Sequence, residues 1–285
     1  MMLVSHYREN EVLRKSFIQL AADIFGLDFT SWHERGYWGE RYIPYSYADG
    51  DQIIANVSVN ELDLVIEGKS HKALQIGTVM THPRYRNKGL SACLMNHVLD
   101  EYEGKYDLMY LFANDSALNF YPKFGFEQVE EHQYSTKTLT GTDPLPLRKL
   151  RIPEDLEMIE KFIYTRVPVS NAFATANSAG ITMYHILNVY NDHLYYLAEA
   201  DAILIFIREY RTVQLYDVIC TAPVNMNDII SSFGDTDTIQ FHFTPDQGDI
   251  PYQQEPFKRN GAFFVRKSPG LEIPPFIKHP VTSEA

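Results

Sequence analysis

Between Val79 and Ala92 the chain reads Val-Met-Thr-His-Pro-Arg-Tyr-Arg-Asn-Lys-Gly-Leu-Ser-Ala. A strand-like run stops at Pro83, a basic loop turns the chain, and a helix begins at a glycine. Beyond Gly89, Leu90, Leu94, Val98 and Tyr102 recur at every fourth position, the spacing of one helix face. A strand that feeds a helix through so short a loop commits the region to a mixed α/β architecture. It also leaves the first N–H groups of the helix unpaired, at the positive end of the helix dipole. A diphosphate can take up those groups. Gly89 lets the backbone come close to it without a Cβ, and Ser91 is small. Arg84, Arg86 and Lys88 add positive charge suited to phosphate oxygens.

The flanking patterns give the rest of the first half. Val12–Phe25 predicts an amphipathic helix, with Leu13, Phe17, Leu20, Ala21 and Ile24 at helical spacing. A short aromatic stretch, Thr30–Glu40, follows. Strands are expected over Tyr42–Ala48, Gln52–Val65 and Ala73–Thr81, turned by Asp49-Gly50 and Glu67-Gly68. After the basic loop and its helix come a strand at Leu108–Phe112, a short helix at Ser116–Lys123 and a final strand at Phe126–Tyr134.

Gly141, Pro144 and Pro146 among Thr and Asp read as a linker. The expected division is therefore residues 1–138, a linker at 139–148, and a second, smaller α+β domain at 149–285. In that second half a helix should begin at Pro153, with Glu154, Asp155 and Glu157 in its first turn. Another is expected over Ile181–Tyr190 and a third over Asn225–Ser232. Strands are expected at Tyr195–Leu197, Ile203–Glu209, Val213–Cys220 and Thr238–Phe243, then an irregular tail from Gly270. The order repeats that of the first half. Tyr121-Pro122-Lys123-Phe124-Gly125-Phe126 also has a faint echo in Phe257-Lys258-Arg259-Asn260-Gly261-Ala262. A degenerate duplication and an unrelated α+β domain both stay open.

Composition narrows the class of function. The 285 residues, 45% of them hydrophobic, can build a sizeable core. A net charge of -12 argues against a nucleic-acid binder and is compatible with a cationic substrate. No apolar run approaches the length that spans a bilayer, and the N-terminus does not read as a signal peptide, so a cytoplasmic protein without membrane contact is expected. Cys93 and Cys220 form neither a close pair nor a metal pattern, and no histidines stand at metal-ligand spacing, so no metal is predicted. Cys93, among Leu90 and Leu94, is expected to be a small buried residue. Asp100-Glu101-Tyr102-Glu103 is expected to be a solvated helix face.

The loop resembles the cofactor loop of the GNAT superfamily of acyl-CoA N-acyltransferases. Its pattern, Arg/Gln-x-x-Gly-x-Gly/Ala, is met here by Arg86-x-x-Gly89-x-Ser91, with serine departing at the last position. A second match, Asn114-x-x-Ala117-x-x-x-Tyr121-x-Lys123-x-Gly125-Phe126, follows at the family's distance. The resemblance covers roughly residues 1–137. It implies an α+β (α/β) fold with a mixed, mostly antiparallel sheet, splayed between two central parallel strands, Ala73–Thr81 and Leu108–Phe112. It implies acetyl-CoA as co-substrate, held by Val79, Met80, Thr81, Arg84, Arg86, Asn87, Lys88, Gly89, Leu90, Ser91, Ala92 and Asn114. The implied reaction is direct attack of a primary amine on the thioester, without a covalent enzyme intermediate. The Met80 N–H would polarise the carbonyl. Tyr121 matches the usual general acid at the leaving thiolate.

Other roles stay open at this level. Many relatives carry a glutamate where this chain has Gly77. A water chain, Asp63, Glu61 or a group from the second half could then accept the proton. The enhanced-intracellular-survival type of the family, with its degenerate second GNAT-like domain and a terminal carboxylate reaching the site, is similar in outline. Trp32, Tyr37, Trp38, Tyr42 and Tyr45 occupy the family's acceptor region and serve either as its wall or as core. The small amine acceptor stays open between a polyamine, an aminoglycoside-like compound and a peptide N-terminus. Two rival functions follow: a non-catalytic acyl-CoA sensor, and a protein acetyltransferase that docks its target on an exposed groove of residues 150–285.

Overall fold

The computed structural model describes residues 1–138, 144–246, 248 and 250–285. Residues 139–143 of the expected linker therefore lie outside the described part; the rest of it runs into a strand at Leu147–Lys149.

The first half supplies β1 (Met2–Ser5), α1 (Glu11–Phe25), α2 (Thr30–Glu34), β2 (Tyr42–Asp49), β3 (Gln52–Ile66), β4 (Lys69–Thr81), α3 (Leu90–Glu101), β5 (Leu108–Ala113), β6 (Glu127–Val129) and β7 (His132–Lys137). The second supplies β8 (Leu147–Lys149), α4 (Leu156–Thr165), β9 (Phe173–Ala176), α5 (Ala179–Asn188), β10 (Leu194–Leu197), β11 (Ala202–Glu209), β12 (Thr212–Cys220), α6 (Met226–Ser231), β13 (Thr238–Phe241), β14 (Gln253–Pro256) and β15 (Ala262–Lys267). The periodic segments fold as their patterns predict. Asn10 caps α1 by accepting from the N–H groups of Val12 and Leu13, and Gly26 ends it in the left-handed conformation. Along α3, Leu90, Leu94, Met95 and Val98 are buried against Ile54, Val57 and Met109 of the sheet. Full burial of each such side chain stabilises by about 1.5–3 kcal/mol.

The strands form two sheets. One runs β1-β2-β3-β4-β5-β15-β6, with β9 added beside β3. The other, taken from its opposite end, runs β8-β10-β11-β12-β13-β7-β14. The two agree position by position and direction by direction. Each is antiparallel except for one parallel pair, β4 with β5 and β12 with β13. Each also receives, beside its parallel strands, a strand from the other half of the sequence. β15 lies between β5 and β6, and β7 lies between β13 and β14. The first half of the chain and the second thus share one topology, and each lends the other the strand that follows its parallel pair; β9 of the second half is a further addition, beside β3 of the first sheet. Hydrogen bonding does not follow the expected 138/149 division, because β7 precedes it and joins the second sheet while β15 follows it and completes the first.

Several expectations change. The helix expected at Ser116–Lys123 is instead a pair of 3₁₀ turns, Asp115–Ala117 and Tyr121–Phe124. Successive bonds from Ala117, Phe120 and Lys123 reach back three residues, to Asn114, Ala117 and Phe120, and Pro122 has no N–H to continue a helix. The strand expected at Phe126–Tyr134 breaks after Val129 and changes sheet. The pivot is Glu131, whose buried carboxylate accepts from Lys278 Nζ at 3.2 Å and the His279 N–H at 3.0 Å, and pairs with Arg259. The helix expected from Pro153 starts at Leu156. The Asp155 carboxylate is taken up by Arg148 and the Arg151 N–H, which hold residues 152–155 as a turn. Cys93 is exposed rather than buried, since it sits on the outer side of α3. Strands β1, β9, β14 and β15 have no counterpart in the sequence reading.

Candidate active site

Strands β4 and β5 are paired from Ala73↔Leu108 to Ile76↔Leu111 and then part. From Gly77 onward β4 has no parallel partner, so a cleft opens between Gly77–Thr81 on one side and Phe112–Asn114 on the other. A cavity of about 870 Å³ fills it. Val79, Met80, Thr81, Arg86, Asn87, Ser91, Asn114 and Tyr121 all line that cavity. The predicted loop and the downstream motif therefore meet at one place.

The bend in β4 comes from a β-bulge. Asn56 pairs with Met80 and Ser58 with Gly77, so Thr78 and Val79 together oppose Val57 alone. Thr78 takes φ 48°, a strained value for a β-branched residue. A buried polar chain holds it there. The Tyr7 hydroxyl meets Ser46 Oγ at 2.7 Å, Ser46 donates to Asn56 Oδ1 at 2.7 Å, and the Asn56 amide donates to Ser58 Oγ and to the Thr78 carbonyl at 2.9 and 2.8 Å. Ser58 donates to the Tyr42 hydroxyl at 2.9 Å, which lies 3.0 Å from Thr78 Oγ1. With each member partnered, the low-dielectric setting makes the chain rigid rather than costly. Sequence reading missed it, because Asn56, Ser58 and Asn60 alternate along β3 as a solvent-facing side would.

The loop after β4 begins with a 3₁₀ turn, Pro83–Tyr85, and ends at Gly89, whose φ of 75° few side chains accept. Among the described residues no side chain caps α3, which leaves its first N–H groups without a capping partner where Ser91 lines the cavity. Ser91 Oγ lies 2.7 Å from Thr81 Oγ1, which ties the helix start to the strand end. Arg84, Lys88 and Gly89 are exposed beside the cavity without lining it; Leu90 is buried in the core and Ala92 is half-buried on α3.

Tyr121 is only 5% exposed and ends the second motif at the cavity wall. Burial pushes its hydroxyl up to about 12, so it stays protonated at neutral pH and can donate. Among the described residues its hydroxyl has no hydrogen-bond partner. Asn114 is exposed and accepts from Ser116 Oγ at 2.7 Å.

The second half of the chain closes the cavity. Ile181, Tyr184 and His185 of α5 line it, as do Glu284 and Ala285. A Cβ at Gly77 would lie 3.2 Å from the main-chain carbon of Ala285 and 3.3 Å from its oxygen, so the end of the described chain fills the space of a side chain at 77. Gln75 fastens this tail by donating to the Ser283 carbonyl at 2.7 Å and accepting from the Ala285 N–H. His185 Nε2 donates to the Glu284 carbonyl at 2.7 Å. Its Nδ1 is buried and unpartnered among the described residues, and burial lowers its pKa, so the ring is neutral at pH 7. Burial raises the pKa of Glu284, against the Arg259 guanidinium that holds it with two N–H groups at 2.7 and 3.2 Å. Asp63 and Glu61 do not line the cavity; they border separate pockets.

The aromatic stretch divides. Trp32 and Tyr42 line the cavity, with Trp32 donating to the Gly180 carbonyl at 2.7 Å. Tyr37 faces a smaller neighbouring cavity of about 380 Å³ and donates to Glu160. Trp38 is 1% exposed and Tyr45 2%, and both are core. Trp38 stacks on Trp32, while Tyr45 packs under α3.

A model of the acetyltransferase (GNAT) domain family matches residues 11–129. Over 95 aligned residues the chain is 37% identical to N-alpha-acetyltransferase 50 of Danio rerio, which covers 31% of this chain and 56% of that protein. The chain thus spans little more than half the length of that relative. Solved structures agree over nearly the whole chain. Eis1 of Mycobacterium abscessus superposes with a TM-score of 0.58 at 11% identity, over 94% of this chain and 74% of its own. A probable N-acyltransferase of Enterococcus faecalis V583 gives 0.57 at 17% identity, over 93% and 72%. At such identities the likeness is one of fold.

Proposed function

We propose, on the premise that residues 11–129 match the GNAT acetyltransferase domain family, that the chain transfers an acetyl group from acetyl-CoA to a primary amine by direct attack in a ternary complex. One observation carries the reading: the opening between β4 and β5, the bulge at Thr78–Val79, the uncapped start of α3 and the Tyr121 hydroxyl all meet at a single cavity.

In this reading the diphosphate takes the free N–H groups at the start of α3, with Arg84, Arg86 and Lys88 balancing its charge. The pantetheine arm lies in the opening and pairs with main-chain groups of Val79 and Thr81 as an added strand would. The Met80 N–H polarises the thioester carbonyl. The amine attacks, the tetrahedral intermediate collapses as the C–S bond breaks, the sulfur takes the Tyr121 proton, and the proton shed by the amine nitrogen passes through water and restores the Tyr121 hydroxyl. Glu61 and Asp63 border other pockets, so neither takes the amine's proton. Desolvation against the apolar wall lowers an amine's pKa and delivers it in the neutral, nucleophilic form. Gly77 favours a second reading, a sensor that binds acetyl-CoA without turnover, since the strand lacks the glutamate of many relatives.

Purified protein warmed with acetyl-CoA, CoA, ATP or NAD tests the cofactor. A ligand that binds only the native state raises the unfolding midpoint. A rise with both CoA species and not with NAD is expected; no rise with either CoA species overturns the proposal. Release of free thiol on adding amines then separates the enzyme from the sensor.

A further inference from the structure

Part of the cavity wall is built by the end of α1, the turn after it, α2 and α5. Phe25, Leu27, Phe29, Trp32, Ile181 and Tyr184 supply its apolar wall. Phe29 and Tyr184 lie 5.2 Å apart between ring centres, and Tyr184 and Trp32 6.2 Å apart at 87°, so the wall is a packed aromatic corner. Among the described residues the one carboxylate side chain on this cavity is Glu284, and Arg259 pairs with it. His185 presents a neutral ring. The main-chain end of Ala285 beside Gly77 adds at most one further anionic group. The net charge of -12 therefore lies elsewhere on the protein.

From this wall we infer that the acceptor is a monoamine whose single primary amine stands next to an aromatic or branched aliphatic group, and not a polycation. The inference rests on the acetyl-transfer reading and adds the acceptor class to it. A polyamine or aminoglycoside would bring several ammonium groups against Phe29, Trp32 and Tyr184 with at most one anion to pair, and each unpaired charge costs free energy on leaving water. An apolar group gains by burial in the same place. The amine beside it is desolvated, which favours its reactive neutral form. A free arylalkylamine and the N-terminus of a peptide beginning with Phe or Leu share this chemistry.

The full chain is assayed for thiol release from acetyl-CoA with phenethylamine, tryptamine, a Phe-initiated peptide without lysine, spermidine and kanamycin. The inference expects kcat/KM for phenethylamine, tryptamine or the peptide to exceed that for spermidine and kanamycin by about 100-fold, the discrimination that a built site achieves. The peptide arm separates a free amine from a chain terminus. Spermidine or kanamycin equal or better, or no apolar amine turned over, overturns it. Acetyl-CoA binding by calorimetry keeps the two readings apart: binding with the wrong acceptor order sinks only this inference, and no binding sinks both. Phe25 is 41% exposed at the rim, so Phe25→Glu should fold with an unchanged midpoint. It should lower kcat/KM for the apolar amine and narrow the gap to spermidine at least about 10-fold, the effect of one added carboxylate on a half-buried cation. An unchanged ratio in a folded variant counts against the wall as the selector.

Discussion

Replacing Tyr121 with Phe removes one oxygen from a hydroxyl that no protein group partners among the described residues. No donor or acceptor is left stranded, so the unfolding free energy should move by no more than about 0.5 kcal/mol. Turnover should respond quite differently. If the hydroxyl protonates the departing thiolate, its loss costs about 10²-fold in kcat, or about 2.7 kcal/mol of barrier. Acetyl-CoA affinity should stay within about twofold, since the hydroxyl acts on charge that develops only as the thioester breaks. Burial holds the group near a pKa of about 12, so at pH 8 only about one molecule in 10⁴ has lost the proton. The wild-type kcat should therefore show no alkaline fall assignable to this group below about pH 10. The assay is thiol release at saturating acetyl-CoA, with calorimetry for binding and urea unfolding for stability. A Tyr121→Phe variant that binds, folds and turns over at the wild-type rate refutes the role.

Gly89→Val forces a β-branched residue into φ 75°, a strain of about 1–2 kcal/mol, although its Cβ would meet nothing within 4 Å. The variant should fold yet lose acetyl-CoA binding in calorimetry, because the close backbone approach at the start of α3 is gone. Arg259→Met strips a shared guanidinium from buried Glu131 and half-buried Glu284 and should cost about 3–5 kcal/mol in urea unfolding, the usual penalty of an orphaned buried charge; a loss below about 1 kcal/mol would mean that Lys278 alone suffices. His242, stacked on Tyr216 and accepted by Gln214, has its pKa lowered to about 4 by burial and then by Lys278. The unfolded chain binds this proton first, so the stability conferred by the neutral ring is complete above pH 6.5 and drains away as pH falls toward 4. The loss is about 2 kcal/mol by pH 5. His242→Gln should flatten that part of the curve, and an unchanged slope between pH 7 and pH 5 would exclude the histidine as its source.

Much of the site was legible in one segment of sequence. Val79–Ala92 gave the strand, the loop and the helix start from periodicity and one glycine, and Asn114–Phe126 gave Tyr121, because phosphate cradles are made of contiguous backbone. The meander before them followed from alternation and Asp-Gly turns. What the sequence could not decide rests on partners far along the chain. Phe263 and Phe264 could have packed in either half; pairing with Phe112 and Leu111 on β5 put them in the first sheet. His132–Lys137 reads as the end of one domain, yet its hydrogen bonds go to β13 and β14. Asn56 and Ser58 look solvent-facing and are fully buried, because the polar chain that satisfies them spans Tyr7 to Thr78. The tail reads only as irregular, and it lines the cavity because Gly77, lacking a side chain, leaves room for it. Local pattern thus determined most of the elements and the candidate cofactor loop. Exchange of strands, burial of polar groups and the apolar wall of the cavity were decided only in three dimensions, where their energies depend on contacts between residues tens to more than a hundred positions apart.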